Sequence, residues 1–257
     1  MILAKHAIDQ TWVDRMLEVV DELAGEAPGP YAADTGQPGD TQNRSYDGRY
    51  RWRHNPDIRA LAFETRLGRL AGQAMGSREV RFYFDHIFIK EPRTDIATPW
   101  HQDIPYWPFA GQDVCSAWVA LTANDVGSSA LEFVRGSHSW GKRYRPKMFI
   151  DTEANWIGTS EDEACPDIES ARSQYDIVSF AVGPGDALLF SAHILHSARG
   201  NLSATDRRVA ISLRFLGDDA TWDPRPGTDP IVTQDHVSVQ PGELAQDDDV
   251  FPVVYRR

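Results

Sequence analysis

The chain has 257 residues, with 38 acidic and 26 basic side chains and a formal net charge of −12. This acidic excess, without any run of Lys or Arg, argues against nucleic acid or an anionic membrane surface as the main partner. Two widely separated cysteines indicate neither a disulfide scaffold nor a cysteine-ligated zinc site. No signal peptide and no long apolar run are recognisable, so we expect a cytoplasmic protein.

The first third of the chain predicts helices around a loop. Apolar residues recur at helical spacing over residues 12–23, behind Thr11 as a capping hydroxyl, and predict a first helix. Residues 28–50 are rich in glycine and proline and predict a loop. Asn55, followed by proline, predicts the start of a second helix, and Gly76 predicts its end.

From residue 80 the apolar pattern changes from a period of 3.6 residues to a period of two, which predicts strands. The absence of regular alternation between strands and helices favours an antiparallel sandwich or barrel, with helices that buttress one sheet. The predicted strands cover residues 80–90, 98–104, 115–122, 130–134, 177–182, 186–192 and 207–216.

We expect a single domain over residues 1–257, because one all-β domain can occupy this length. The long acidic and aromatic connection between two predicted strands is a possible lid over a site. The C-terminal tail is irregular but ends in apolar residues, which predicts that it packs back. The predicted parts are a helical segment of about 1–78, a barrel of about 79–217, the lid of about 141–176 and the tail 218–257.

A group of imidazoles and one carboxylate is the strongest chemical signal. His101 and Asp103 lie two residues apart in the predicted strand 98–104, so both side chains should point to one face. His193 and His196 follow a later strand and offer a third ligand. Two histidines and one carboxylate form the facial triad of non-haem iron(II) oxygenases, which leaves three coordination positions open. The same donors can also bind zinc in a hydrolase.

Four ordered segments resemble the phytanoyl-CoA dioxygenase family of Fe(II)/2-oxoglutarate oxygenases. The resemblance covers roughly residues 80–217, and it implies a double-stranded β-helix, a jelly-roll or cupin-like barrel. It also implies Fe(II) as the metal, with 2-oxoglutarate and O2 as cosubstrates. The segments are His101-Gln-Asp-Ile-Pro-Tyr-Trp-Pro-Phe109, Ala130-Leu-Glu-Phe-Val-Arg-Gly-Ser-His-Ser-Trp-Gly141, Gly185-Asp-Ala-Leu-Leu-Phe190, and His196 with Asn201, Arg207 and Arg208.

The family pattern assigns roles to single positions of this chain. It matches His101, Asp103 and His196 to the metal ligands, and it selects His196 over His193, which we expect to pack near the strand end. Three further positions match residues that help to hold 2-oxoglutarate. These are Gln102, Trp118 and Ser197.

The arginine that grips the far carboxylate of 2-oxoglutarate is ambiguous by one residue. Counting from His196 points to Arg207, whereas aligning the strand end points to Arg208. Strand parity favours Arg208, because it shares a small and polar face with Ser212 and Arg214, whereas the Arg207 face is otherwise apolar. Arginine suits this role through its two-point fork.

Substrate contacts are predicted on one strand face and beside the metal motif. Tyr106 and Trp107 follow the metal motif closely and could flank a substrate, or could form a stiff packed turn. The strand face could line a substrate pocket, or could pack on the helices. Its members are Phe82, Phe84, His86, Phe88 and Lys90, of which His86, Phe88 and Lys90 are the substrate candidates.

The resemblance implies hydroxylation of an unactivated C–H bond, with succinate and CO2 as co-products. Desaturation, epoxidation and ring rearrangement stay open, as do a zinc hydrolase and a non-catalytic barrel that only binds. We expect a small-molecule or secondary-metabolite substrate, since an acidic protein is a poor host for a coenzyme A ester. The one candidate basic patch, Arg143, Arg145 and Lys147, is more simply a solvated surface.

Overall fold

The computed structural model describes residues 1–27, 31–127, 129–146 and 162–257. Its helices are α1 (Gln10–Gly25), α2 (Pro56–Glu64) and α3 (Leu67–Met75). Its strands are β1 (Ile2–Ala4), β2 (Ala32–Asp34), β3 (Ser45–Arg49), β4 (Glu79–Lys90), β5 (Thr98–His101), β6 (Phe109–Ala110), β7 (Val114–Ala120), β8 (Leu131–Val134), β9 (Ile177–Ser179), β10 (Ala187–Ser191), β11 (His196–Ala198), β12 (Arg208–Leu216), β13 (Thr221–Trp222) and β14 (Val253–Arg256).

The helix ends differ from the sequence prediction in two places. Helix α1 begins earlier than expected, because Asp9 rather than Thr11 is its cap and accepts a hydrogen bond from the Trp12 amide at 3.0 Å. The predicted second helix is two helices, α2 and α3, since the backbone is extended at Thr65. The Asn55 cap is confirmed, as is the end at Gly76, whose φ of 82° suits glycine.

Two antiparallel sheets build the mainly β fold. The large sheet has the strand order β1-β10-β7-β12-β4-β3-β2, and β14 also pairs with the start of β4. A four-stranded sheet has the order β5-β11-β8-β9, and β6 pairs with β13. This arrangement agrees with the predicted jelly-roll barrel, although it includes short strands in residues 28–50 where only a loop was predicted.

The helices pack against the outer face of the large sheet, as predicted. Alternate residues of β12, such as Val209, Ile211 and Leu213, are fully buried in a core with apolar residues of α1, α2 and α3. Period-two alternation therefore directs Arg208, Ala210, Ser212 and Arg214 toward the opposite, inner face.

A β-bulge in β4 corrects one prediction. Arg214 pairs with Phe84, but its neighbour Phe215 pairs with Phe82, so Tyr83 is an additional residue on β4. The extra residue reverses the alternation, and Phe82 joins the helix-side core instead of the inner face that Phe84 shares with His86.

The tail packs back onto the barrel, as its apolar end predicts. Phe251 is fully buried against Tyr83, Phe109 and Trp222, with ring centroids 5.3 to 6.0 Å apart. Among the described residues, no helix combines the length and apolar character needed to cross a membrane. The predicted extent of the single domain stays a prediction.

The predicted lid is described only in part. Residues 147–161, which include Phe149 and Trp156, lie outside the described residues. Tyr144 and Ile168 from the described flanks are buried in a small core with Val134 and Leu195. None of the described residues of 141–176 lines the central cavity, so the lid stays a prediction.

Candidate metal centre

Strand pairing places the two histidines side by side. In the four-stranded sheet, His196 of β11 is directly opposite His101 at the end of β5. Opposite residues of antiparallel strands bring their Cβ atoms close together. The two ring centroids lie 4.2 Å apart.

Backbone carbonyls orient both imidazoles. Nδ1 of His101 lies 2.8 Å from the carbonyl oxygen of Pro99, and Nδ1 of His196 lies 3.1 Å from that of Ile194. When Nδ1 carries the proton and donates it to the carbonyl, Nε2 of each ring is left with a free lone pair. Both histidines are therefore oriented as metal ligands, and these carbonyls favour the tautomer that metal binding needs.

Asp103 reaches the histidines by a route that differs from the predicted one. The strand ends at His101, and Asp103 has helical backbone angles at the start of a short 3-10 turn, Ile104–Tyr106. Its amide donates to the carbonyl of Ala192 at 2.9 Å, which fixes the turn. Convergence with His101 therefore arises from this turn and not from strand alternation.

The two carboxylate oxygens of Asp103 have different surroundings. Oδ1 lies 3.7 Å from Nε2 of His101 and 3.8 Å from Nε2 of His196. Oδ2 accepts hydrogen bonds from Oγ of Ser116 at 2.8 Å and from Nη1 of Arg214 at 3.2 Å. The three candidate ligand atoms lie within 4.8 Å of one another, and this is the one such cluster in the described ranges.

Electrostatics keep Asp103 and His196 in the protonation states that metal binding needs. Burial by itself would raise the pKa of Asp103, but the Arg214 guanidinium and the two imidazoles outweigh burial and hold that pKa well below its usual range. Burial, together with repulsion from His101, lowers the pKa of His196 to about 3. At neutral pH the centre thus offers an ionised carboxylate and a neutral His196 imidazole.

The three donors open onto a cavity of about 400 Å³ between the sheets. Its apolar lining is largely aromatic, and strands β3, β4 and β12 supply about half of its polar residues. The aromatic members are Tyr46, Phe84, Phe88, Tyr106, Trp107, Trp118 and Phe190.

The structure distinguishes between the two candidate arginines. Arg208 lines the cavity and is 4% exposed, and its Cζ lies 4.9 Å from the ring centroid of Trp118. Within the described part of the chain, the Arg208 side chain has no hydrogen-bond or ion-pair partner, and its Nε is buried without one. Burial lowers its pKa to about 10. Arg207 faces outward and binds Asp21 at 2.5 Å and Glu91 at 3.4 Å.

Two of the residues matched to 2-oxoglutarate lie outside the cavity lining. The Gln102 amide group donates to the carbonyls of His193 and Lys142, at 2.8 and 3.0 Å, and accepts from the Tyr144 amide at 2.9 Å. Gln102 thus ties the metal motif to neighbouring segments. Ser197 points away from its neighbour His196 and does not line the cavity either, whereas Trp118 does.

His193 and the described part of the basic patch lie outside the cavity lining, but Arg143 and Arg145 are half-buried and bonded to the protein rather than solvated. His193 bonds through Nε2 to the Gly111 carbonyl at 2.8 Å and does not line the cavity. Of the basic patch, Arg143 is paired with Asp162 at 2.6 Å, and Arg145 donates to the Asp162 carbonyl at 3.2 Å. Lys147 lies outside the described residues.

All five substrate candidates line the cavity. Lys90 lies directly opposite Arg208 in the pairing of β4 with β12, and donates to the carbonyl of Arg199 at 2.8 Å. Burial and the neighbouring Arg208 lower the pKa of Lys90 well below its usual value. The others are His86, Phe88, Tyr106 and Trp107.

Sequence reasoning missed three side chains that surround the centre. Arg214 and Ser116, opposite each other on β12 and β7, bind Asp103. Asp47 of β3 also lines the cavity, and its Oδ1 is 2.7 Å from Nε2 of His86. For Arg214, the sequence offered one indication, because strand alternation predicts that it shares the cavity face with Arg208. Asp47 lies in a segment that was predicted to be a loop.

Several solved structures share this fold. The non-haem alpha ketoglutarate dependent epimerase SnoN from nogalamycin biosynthesis matches with a TM-score of 0.72 and 21% identity, over 99% of this chain and 93% of that chain. The carbocyclase SnoK from the same biosynthesis matches with a TM-score of 0.69 and 21% identity, over 98% and 91%. EctD from S. alaskensis, solved with 2-oxoglutarate and 5-hydroxyectoine, matches with a TM-score of 0.68 and 17% identity, over 94% and 80%.

At these identities the likeness to solved structures is one of fold. A likeness of sequence comes from a family model, that of phytanoyl-CoA dioxygenase, which matches residues 1–209. The match covers most of the chain and includes every candidate metal ligand. The chain therefore belongs to the phytanoyl-CoA dioxygenase (PhyH) family.

Proposed function

We propose that this protein is a non-haem Fe(II)- and 2-oxoglutarate-dependent dioxygenase that hydroxylates an unactivated C–H bond of a small molecule. The observation that carries the proposal is the convergence of His101, Asp103 and His196 on one cavity wall, with their ligand atoms within 4.8 Å. Two imidazoles and one carboxylate suit iron(II) and leave one face of an octahedron for cosubstrates.

The cavity also fits a dicarboxylic cosubstrate. Arg208 is a buried guanidinium without a protein partner in the described ranges, and burying an unpaired cation is costly. A carboxylate of 2-oxoglutarate would satisfy it through two parallel hydrogen bonds. Lys90 lies beside it, so we assign Lys90 to the cosubstrate end of the cavity rather than to the substrate.

The protein's own groups would then bind, orient and exclude water. His101 and His196 present Nε2, Asp103 presents Oδ1, and Trp118 supports the Arg208 guanidinium through its ring face. When bound, iron with 2-oxoglutarate and O2 supplies the oxidising power, converting the oxo acid to succinate and CO2. The aromatic cavity walls keep bulk water from the substrate C–H bond.

The binding half of the proposal is tested under anaerobic conditions. Adding Fe(II) and then 2-oxoglutarate should produce a weak visible charge-transfer band in the wild type. We expect no band in His101→Ala or Asp103→Ala, because each removes a metal ligand. A wild type that binds zinc alone and gives no band would contradict the oxygenase and favour a hydrolase.

The same titration separates the two arginines. Arg208→Ala should raise the 2-oxoglutarate concentration needed for half of the band about 10- to 100-fold, because two charge-assisted hydrogen bonds are lost. Arg207→Ala is the matched control and should leave that concentration unchanged. An unchanged Arg208→Ala would show that another group anchors the cosubstrate.

The reaction outcome is read from the mass of the product. Succinate release in aerobic screens against a metabolite panel identifies a substrate. Hydroxylation adds one oxygen atom, desaturation removes two hydrogen atoms, and an epimerisation leaves the mass unchanged. A product of unchanged mass would contradict hydroxylation. It would indicate a reaction at constant composition, such as the epimerisation for which SnoN is named.

A further inference from the structure

The cavity wall carries an acid and an imidazole that the proposed oxidation does not use. Nε2 of His86 lies 2.7 Å from Oδ1 of Asp47, on the adjacent strands β4 and β3. His86 is 9% exposed, and its ring centroid lies 3.9 Å from that of Phe88, which holds the ring in place. A hydrocarbon wall would avoid the free-energy cost of burying these polar groups, so their retention points to a role in binding.

The pair has a defined protonation state. Burial lowers the pKa of His86 despite the opposing effect of Asp47, so the ring is neutral at neutral pH. Burial alone would raise the pKa of Asp47, but His86, Arg49 and Arg214 outweigh it and lower that pKa. The Asp47 carboxylate 2.7 Å away favours the proton on Nε2 electrostatically, although Nε2 has no hydrogen bond of ordinary geometry among the described residues. With the proton there, Nδ1 is left as a hydrogen-bond acceptor.

The surrounding charges select what this acceptor can bind. An anionic group has no proton to donate to Nδ1, and it would face the Asp47 carboxylate. A cationic donor would be attracted by Asp47, but it would enter a cavity with more cations than carboxylates. The lining contains Arg49, Lys90, Arg208 and Arg214 against Asp47, Asp103 and Asp229. An uncharged donor meets neither penalty. The aromatic lining next to the pair suits an apolar, planar body attached to that donor.

We propose that the Asp47–His86 pair is the substrate-recognition site of the cavity and binds the hydroxyl group of a largely aromatic or polycyclic substrate. This inference rests on the proposed function, since it assigns the substrate of the same cavity. Hydroxyl donation to Nδ1 orients the substrate, and Asp47 fixes the tautomer that accepts it. Phe84 and Phe88, which flank His86 on β4, contact the apolar body.

The test uses four naphthalene probes that differ in one group: 2-naphthol, 2-methoxynaphthalene, 2-naphthoate and protonated 2-naphthylmethylamine. Calorimetric titrations use the anaerobic protein loaded with Fe(II) and 2-oxoglutarate. We expect 2-naphthol to bind at least about fivefold more tightly than each of the other three, since only it donates an uncharged hydrogen bond.

Variants assign this preference to the pair. His86→Phe keeps the ring stack on Phe88 and should bring 2-naphthol and 2-methoxynaphthalene to equal affinity. Asp47→Asn, which removes the charge that fixes the tautomer, should reduce the preference. Thr98→Val is the matched control, because it removes another hydroxyl from the cavity lining and should leave the preference intact.

The outcomes separate this inference from the proposed function. Absence of the charge-transfer band in the wild type defeats the proposed function and this inference with it. A normal band in the wild type and in His86→Phe, combined with equal affinity for naphthol and its methyl ether or with no binding of any probe, overturns only this inference. Retention of the preference in both pair variants also overturns it.

Discussion

At the scale of single residues, Asp103 must present one carboxylate oxygen to a metal while the other stays fixed. Oδ1 faces the two imidazoles, and Oδ2 is held by Ser116 and Arg214. This division favours coordination through one oxygen, and it leaves an adjacent position for a cosubstrate. Groups that hold a ligand in this way tune metal affinity although they never touch the metal.

We therefore predict that Arg214→Lys and Ser116→Ala weaken Fe(II) binding about 10- to 100-fold. Lysine retains the charge but offers a point charge in place of the planar guanidinium, and alanine removes the 2.8 Å hydrogen bond. Anaerobic metal titration measures the dissociation constant. Ser212→Ala is the control, since Ser212 lies on the same face and its hydroxyl is buried without a hydrogen bond. Equal affinities in all three variants would show that Asp103 needs no such support.

Sequence reasoning found the metal ligands but not the groups that hold them, for a physical reason. His101 and Asp103 belong to one short motif, and the family pattern then selects His196. Arg214 is 111 residues from Asp103 in the chain. The pairing of β7 with β12 places Arg214 opposite Ser116, and the turn after β5 brings Asp103 to both of them. Contacts of this kind depend on the register in which two strands pair, and a local sequence pattern does not predict that register.

At the scale of elements, the segment between Ile104 and Phe109 connects the metal motif to the tail. Arg225 donates from Nη1 to the carbonyl of Phe109 at 3.1 Å, and from Nη2 to those of Ile104 and Trp107 at 3.1 and 2.9 Å. One guanidinium thus satisfies three carbonyls of a segment without long strands. The position of Asp103, which precedes this segment, depends on it.

Replacing Arg225 by Met should lower the free energy of unfolding by about 3 kcal/mol, because three carbonyls lose a charged donor. Amide hydrogen exchange should also rise in residues 104–109. Arg256→Met is the control, since the Arg256 side chain is exposed and its one ion pair among the described residues is with Glu79, and there we expect little change. Faster exchange confined to the tail would mean that Arg225 does not support the 104–109 segment.

The differences between predicted and observed elements have local causes. Thr11 looked like a cap, but Asp9 performs this role two residues earlier. An extended Thr65 splits one predicted helix into two, with its hydroxyl donating to the Leu61 carbonyl at 2.7 Å. Strands β2 and β3 lie among glycines and prolines, and the pairing of β3 with β4 and of β2 with β3 overrides these turn signals.

At the scale of the whole molecule, the family match ends at residue 209, yet the tail is part of the barrel's packing. Strand β14 pairs with β4, and residues 227–230 line the cavity. Apolar residues in 251–255 predicted that the tail packs back, but the sequence could not predict that it would help to form the cavity. That contact joins residues more than a hundred positions apart.

The tail should therefore contribute substantially to stability. Phe251→Ala should lower the free energy of unfolding by about 3–5 kcal/mol, because it leaves a void among Tyr83, Phe109 and Trp222. Leu244→Ala, at a tail position that is 41% exposed, should cost far less. Chemical denaturation measures both. Equal and small losses would show that the barrel is stable without its tail.

The bulge at Tyr83 gives β4 a property that no substitution experiment would reveal. Because one extra residue sets the alternation, Phe82 faces the helices, whereas Phe84 and His86 face the cavity. Deleting one residue there would reverse the alternation on one side of the deletion. Side chains that now face the cavity would then face the helices, or the reverse. The chain should thus tolerate many replacements along β4 but very few changes in its length, and insertions and deletions in homologous chains should avoid this strand.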